Sequence, residues 1–399
     1  MPPLRAGLYA RWAAPPRGWG QTPGGGPGGI PGGLRQLALP VEVLKLPFVN
    51  PLDIRQELQL RAETVTEDPD VTEARMCTRA LWSDNGQAVL VGRNMDWFDD
   101  LGTNLWALPR GRRRRGLEDG NALEWTVEHG SLVATEHDQA TTDGMNERGL
   151  GAHVLWLAES DFSRPDAKLP GVSMSLWAQV FLDQFATVAE CVQFMRDTPF
   201  EVWPMVEPDV DRSAAVHLAL DDAGGDSAVI EYIDGSQRVH HDSGYAVMTN
   251  SPPFDQQLAH LRRYDGFGGH QPLPGTTEAA DRFVRASYYL EHLPRPRSRR
   301  EAVAELLSVM RNAAQPFGVP DPSRPNISST LWRSVSDLTN LVYYYESSFS
   351  PNLIWVKLEG LRFGKGAPPT RLRVSAEADY VGEVSDRFSP AEPFAFAMP

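Results

Sequence analysis

The sequence predicts an α+β fold carried by residues 77–399, and three observations point to it. Runs of short β-type segments alternate with runs of helical pattern, where a βαβ chain would show one helix between successive strands. The texture changes sharply at Cys77, after a Gly- and Pro-rich stretch. And 399 residues, 41% hydrophobic and 23% charged, suffice to bury a full core without bridges or metals.

Residues 1–76 lack the pattern of a folded segment. Residues 21–34 read QTPGGGPGGIPGGL, a tract that neither packs nor holds a helix. Its GGGPGG is no phosphate loop, because the strand before it and the Lys-Ser/Thr and helix after it are missing. Apolar residues between 37 and 60 are broken by Pro40, Pro47 and Pro51, and residues 64–75 are polar and acidic. We expect 1–76 to be a disordered or mis-assigned extension, since Met76 stands directly before Cys77.

From Cys77 onward the elements follow in order. Residues 80–82 and 88–91 read as strands joined across Ser83-Asp84-Asn85-Gly86, where Asn-Gly signals a hairpin. Residues 132–135 and 151–157 read as strands around a turn at Asp143-Gly144-Met145-Asn146. Residues 174–195 read as helix in two pieces. Thr187 suits the N-cap of the second, whose Val188, Cys191, Val192 and Met195 recur at i, i+3, i+4, i+7. Residues 214–220 and 228–233 alternate about Gly224-Gly225 as a hairpin, and 245–249 form a strand ending at Asn250. Residues 282–293 and 300–311 are helical by pattern, and 341–345 with 353–358 form a late hairpin.

The net charge is −14, and the first 76 residues hold eight basic and eight acidic groups, so the excess lies wholly on the rest. An acidic body argues against binding nucleic acid or an anionic membrane surface. No run of 18 apolar residues reads as a transmembrane helix, and the N-terminus lacks the plan of a signal peptide, which leaves a cytoplasmic location as the expectation, or a periplasmic one if the N-terminus is mis-assigned. Two cysteines, Cys77 and Cys191, build no disulfide framework. His240-His241 lacks the spacing of a metal site, and no cofactor motif is present. The basic cluster 110–115 (RGRRRR) reads as a solvated loop, Cys191 as a core thiol, and the sequon at Asn326 as a chance triplet.

Chemistry concentrates at Met76-Cys77. If Cys77 becomes the first residue, it carries a nucleophile and a base together. Its α-amine would titrate near 8, far below an unperturbed lysine, and can take the thiol proton directly or through one water. Nearby cations would favour the thiolate. Arg93 and Asp96 lie sixteen and nineteen residues on, at a strand end. Arg93 suits a thiolate partner and Asp96 an acceptor for the α-ammonium, but three residues apart they need a bend or bulge to point the same way. Taken alone, they read better as a surface ion pair of little worth.

MCTRAL at 76–81, GRNMDW at 92–97, DGMNERGLG at 143–151, TNSPPF at 249–254 and DRFVR at 281–285 together resemble the choloylglycine hydrolase family, which holds bile salt hydrolases and penicillin V acylases. The likeness runs from Cys77 to near the C-terminus in the same order. It implies a four-layer αββα N-terminal-nucleophile fold and an amidase acting on linear amides. It also implies roles: Cys77 as nucleophile, Arg93 and Asp96 as polar partners of its thiol and amine, Asn250 as the side-chain amide of an oxyanion hole, and Arg282 as the remaining active-site arginine. The backbone N–H of Trp156 would complete that hole. Trp156 stands where bile salt hydrolases carry Asn. With Trp97 beside Asp96 it suggests an aromatic acyl pocket, although plain core packing also accounts for both rings. These features resemble the Gram-negative branch, associated with penicillin V and N-acyl homoserine lactone acylase activity. A conjugated bile salt hydrolase and a non-catalytic acyl-ligand binding protein are the alternatives. The expected partner is a small N-acyl amide, and a homo-oligomer is common in the family.

Overall fold

The computed structural model describes residues 76–162, 166, 168–207, 212–264, 271–317, 328–350, 352–374 and 378–399. The extension up to residue 75 and the sequon at Asn326 lie outside them.

The first hairpin sets the frame. Strand β1 (Met76–Trp82) pairs antiparallel with β2 (Leu90–Trp97), with Cys77 opposite Met95 and Arg79 opposite Arg93. Asn85 closes the connection with four hydrogen bonds. Its side-chain amide donates to the carbonyls of Trp82 and Ala88, and its Oδ1 accepts from the N–H groups of Gln87 and Ala88. The Asn-Gly signal therefore marks the hairpin, through a seven-residue loop instead of a two-residue turn.

Next come β3 (Asn104–Leu108), β4 (Ser131–Glu136), β5 (Ala140–Asn146) and β6 (Leu150–Trp156). Here the sequence reading needs correction. Asp143-Gly144-Met145-Asn146 is not a turn but the end of β5. The turn is Glu147-Arg148-Gly149, capped by Asn146, whose Oδ1 accepts from the N–H groups of Arg148 and Leu150. Gly144 is required by close packing, because a Cβ there would stand 2.5 Å from the Leu132 carbonyl. Asp143 is fully buried. Its polarity mimics a turn residue only because its partners come from distant segments.

Helix α1 (Trp177–Gln184) and helix α2 (Val188–Asp197) follow. Thr187 caps α2 as expected and forms a full capping box with Glu190, and Val188, Cys191, Val192 and Met195 are the buried face. Then come β7 (Val216–Asp222), β8 (Ser227–Ile233), β9 (Ser236–His241) and the two-residue β10 (Val247–Met248). Helices α3 (Phe254–Leu261), α4 (Ala279–Glu291) and α5 (Arg299–Ala313) precede β11 (Ser329–Asp337), β12 (Val342–Ser347), β13 (Leu353–Lys357), β14 (Thr370–Arg373), β15 (Gly382–Glu383) and β16 (Ser389–Pro390).

Seven strands form one sheet in the order β10-β1-β2-β11-β12-β13-β15, and nine form the other in the order β9-β8-β7-β6-β5-β4-β3-β14-β16. Helices α4 and α5 cover the outer face of the first sheet, and α1 packs on β5 and β6 of the second. One buried cluster joins Val91 and Met95 to Leu132, Met145 and Leu155 of the facing sheet and to Leu306 and Met310 of α5; a second lies under α1 and α2. This is the αββα sandwich that the family resemblance implies.

Alternation along β2 sorts the site. Val91, Arg93, Met95 and Trp97 share one face, while Gly92, Asn94 and Asp96 share the other. A Cβ at Gly92 would come 2.6 Å from Met310 Cγ, so glycine lets α5 seat on the sheet, and Asn94 ties the helix down by donating to the Met310 carbonyl at 2.8 Å. The C-terminal residues return across the second sheet. Ala397 accepts from the hydroxyls of Ser173 and Ser175, both at 2.7 Å, and its N–H donates to the Gln139 carbonyl at 2.9 Å.

Candidate active site

Cys77 lies one residue inside β1, 2% exposed, and the two faces of the first sheet treat it differently. Its sulfur points between the sheets, 3.9 Å from both Met95 Sδ and Arg93 Nη2. Arg93 is fully buried. It donates to the Val154 carbonyl at 2.7 Å, and its guanidinium lies 4.8 Å from the centre of the Trp332 ring. The Cys77 backbone N–H donates to Asn250 Oδ1 at 2.7 Å. Burial raises the thiol above its ordinary value, and the Arg93 charge opposes that rise.

Asp96 stands on the opposite face. It faces Met76 across the β1–β2 register, so no bulge in β2 brings Arg93 and Asp96 together. The expectation of a bend is corrected: sulfur and nitrogen leave Cys77 in different directions, and each acid or base addresses its own atom. A register shift does occur in β11 between Thr330 and Trp332, which sets Thr330 opposite Asp96 and Trp332 opposite Met95. The Thr330 hydroxyl then donates to Asp96 Oδ1 at 2.5 Å, and Gln315 Nε2 approaches Oδ2 at 3.4 Å. Burial raises the Asp96 carboxyl, opposed by Arg282 and these two hydrogen bonds.

Arg282, on the buried face of α4, is the hub of the helix side. Its Nη2 donates to Asn250 Oδ1 at 2.7 Å, its Nη1 to the Cys77 carbonyl and Thr78 Oγ1 at 2.5 and 2.6 Å, and its Nε to the Thr277 carbonyl at 2.8 Å. Asp96 Oδ2 is 3.8 Å from Nη1. Asn250 is thereby held at both ends, because its Nδ2 donates to the Trp156 carbonyl at 2.7 Å. One amide hydrogen remains on that nitrogen.

The Asn250 segment has its own support. His217 meets the Thr249 carbonyl through Nε2 at 2.8 Å and Glu231 through Nδ1 at 3.1 Å, and Glu231 accepts the Phe254 N–H at 3.0 and 3.2 Å. Burial alone would raise the Glu231 carboxyl, but hydrogen bonds from His217, His240 and Phe254 outweigh it and hold it down at about 2. A carboxyl depressed from 4.5 adds stability that is complete above pH 4.5 and is lost as pH falls toward 2. Unfolding free energies from urea titration should therefore fall across that window by at most about 3 kcal/mol more in the wild type than in Glu231→Gln.

A cavity of about 320 Å³ opens on the sulfur and is lined by Met95, Trp97, Phe98, Trp156, Met174 and Met205 among others. The Trp97 and Trp156 rings meet edge to face at 6.1 Å. A larger cavity, about 570 Å³, lies among β1, α3 and α4 but is not lined by Cys77 or Arg93, so the smaller one is the cavity that meets the sulfur.

All seven residues singled out in the sequence thus converge on one place, Cys77, Arg93, Asp96, Trp97, Trp156, Asn250 and Arg282. Sequence reasoning missed Met95, Thr330 and Gln315. Strand alternation counted forward from Arg93 would have found Met95; Thr330 and Gln315 reach Asp96 only through tertiary packing. Elsewhere, Cys191 is buried and its thiol pushed well up by burial. Arg114 of the basic cluster pairs with Asp183 at 2.8 Å. His241 pairs with Asp226 at 2.8 Å. Among the described residues no three His, Cys, Asp or Glu groups cluster to hold a metal, and no helix is long and apolar enough to cross a membrane.

Comparison with known proteins identifies the family. Residues 77–365 match the model of the linear amide C–N hydrolases, choloylglycine hydrolase family. A penicillin V acylase from Pectobacterium atrosepticum is 44% identical over 346 residues, covering 80% of this chain and 92% of that one. A bile salt hydrolase/transferase from Clostridium perfringens is 25% identical over 301 residues, 68% of this chain and 89% of that one. The solved penicillin V acylase of Agrobacterium tumefaciens superposes with a TM-score of 0.73 at 42% identity, covering 81% of this chain and all of that one. The chain therefore belongs to the choloylglycine hydrolase family and is a hydrolase of linear amide C–N bonds, similar to penicillin V acylases more than to bile salt hydrolases.

Proposed function

We propose that the chain is an acylase of the penicillin V or N-acyl homoserine lactone kind, working through Cys77 as an N-terminal nucleophile. The observation that carries the reading is the division of labour at Cys77. Its nitrogen is held by Asn250 beside Arg282, while its sulfur faces the aromatic cavity beside Arg93.

Residues up to Met76 must leave, by initiation at Met76 and methionine removal or by cleavage, because a peptide nitrogen is no base. The freed amine takes the thiol proton. The thiolate attacks the amide carbonyl, and the oxyanion receives the remaining Asn250 amide hydrogen and the Trp156 backbone N–H. Arg93 offsets the charge on sulfur. Asp96 orients the α-ammonium, which returns its proton to the leaving amine as the C–N bond breaks. A water then gives a proton to the same amine and attacks the thioester, releasing the acid and the thiol.

The cavity, at the low end of the range for ligand pockets, favours a single-ring or short-chain acyl group over a four-ring steroid. A panel of penicillin V, N-acyl homoserine lactones and glycine- and taurine-conjugated bile salts tests this. Protein beginning at Cys77 should give its highest kcat/KM on one of the first two. Preference for bile salts would overturn the substrate assignment, and tight binding without turnover would mark a binding protein.

A further inference from the structure

A row of buried charges between the sheets ends at the sulfur, and none of it takes part in the steps above except its last cation. Arg79 and Arg93 are direct cross-strand neighbours, both fully buried and both aimed at the second sheet. Two guanidinium groups side by side in an interior repel, so each needs an anion. Asp221 of β7 grips Arg79 through Nε at 2.8 Å and through Nη2. Asp143 of β5 stands 3.9 Å from Arg93 Nε. Between the carboxylates sits His153 of β6, with Nδ1 2.5 Å from Asp143 Oδ1 and Nε2 3.5 Å from Asp221 Oδ2. Tyr343 and Ser334 donate to Asp143 Oδ2 at 2.5 and 2.8 Å. The order is Arg79, Asp221, His153, Asp143, Arg93, then Cys77 Sγ.

Counting charge along the row ties its two ends together. Two guanidinium and two carboxylate groups cancel, so a neutral imidazole goes with a neutral thiol. Beyond the row, Arg282 and Asp96 also cancel, so while the Cys77 nitrogen is held in a peptide bond a thiolate alone would leave one negative charge in a dry interior, which is costly. A thiolate with an imidazolium restores neutrality and makes the signs alternate throughout; Nδ1 already meets Asp143 Oδ1, and Nε2, which makes no hydrogen bond, lies 3.5 Å from Asp221 Oδ2. Arg93 Nε and Nη1 have no hydrogen-bond partner, so its charge is shared between Asp143 and the sulfur at the same 3.9 Å.

We propose that Asp143 and His153 are positioning residues for Cys77: the pair sets how much of the Arg93 charge reaches the sulfur. Burial, with the charges of Arg79 and Arg93, holds the imidazole below its ordinary value against the pull of Asp143, so negative charge arising on the sulfur is what would favour its protonated form. The proposal rests on Cys77 as the nucleophile, but its readout needs no substrate.

The test is the pH dependence of iodoacetamide alkylation of Cys77 in the full chain, where Cys77 lines the open cavity and Cys191 is packed in the core under α2. His153→Gln removes the balancing cation and should raise the half-point by about one unit, slowing alkylation about tenfold at neutral pH. Asp143→Asn removes the competing anion and should lower the half-point by a similar amount. Opposite shifts support the proposal. Shifts of the same sign, or none, overturn it, because structural damage has no reason to change sign between the two. If either variant loses its near-UV circular dichroism, Tyr343→Phe replaces it. That change strips a hydrogen bond from Asp143, strengthens its hold on Arg93 and should raise the half-point; an unmoved half-point overturns the proposal. A panel failure with these shifts intact would sink the substrate reading alone.

Discussion

Cys77→Ala, in protein beginning at residue 77, is expected to lose amide hydrolysis by a factor on the order of 10⁴–10⁶ while keeping its fold. The loss is this large because in the proposed mechanism the sulfur is the attacking atom, and nothing else among the described residues replaces it. Cys191 lies in α2, packed under the other sheet. The fold should persist because the amine, Asn250 and Arg282 contacts all use Cys77 backbone atoms, which alanine retains. A companion measurement separates chemistry from packing. The same chain with Met76 still attached keeps the thiol but has a peptide nitrogen on Cys77 in place of a base, and Met76 is itself buried opposite Asp96. It should be as silent as the alanine variant, with unchanged circular dichroism. Full turnover by protein whose intact mass includes residues 1–76 would sink the N-terminal mechanism.

Asn250→Asp should cost on the order of 10²–10³ in kcat with little change in KM. The carboxylate keeps an acceptor for the Cys77 nitrogen and for Arg282, so the packing around it survives. What disappears is the amide NH₂, one hydrogen of which is held by the Trp156 carbonyl while the other faces the developing oxyanion in the proposed mechanism. An anion there repels both the Trp156 carbonyl and the transition state. Steady-state kinetics on the best substrate reads the split, and a variant with wild-type kcat would remove Asn250 from the oxyanion hole.

Most of the scaffold was legible because local rules and tertiary context agree there. The α2 segment carries its N-cap, its capping glutamate and its apolar stripe within ten residues, so the reading needed nothing from elsewhere. Asn85-Gly86 likewise announced a hairpin, though not its loop length. The failures share one physical cause. β5 and β11 bury polar side chains between layers, so their sequences lack the apolar alternation of a half-buried strand. In β11, Ser334 and Thr330 are satisfied by Asp143 and Asp96, which lie 191 and 234 residues away. No window along the chain contains such pairs. For the site, the family motifs located the atoms that touch sulfur and nitrogen, while the residues that hold Asp96 and Arg93 in place became visible only when the sheets were stacked.

The return of the chain across the second sheet bears on how the enzyme is handled at the bench. Gln139 and Ser175 line the cavity that opens on the Cys77 sulfur, and both are hydrogen-bonded to Ala397. A purification handle fused after Pro399 would load a brace behind that cavity wall, and one fused before Cys77 would cap the amine on which the proposed mechanism depends. Affinity tags on this protein are therefore better carried on an exposed loop, or cut away before acyl preference is compared.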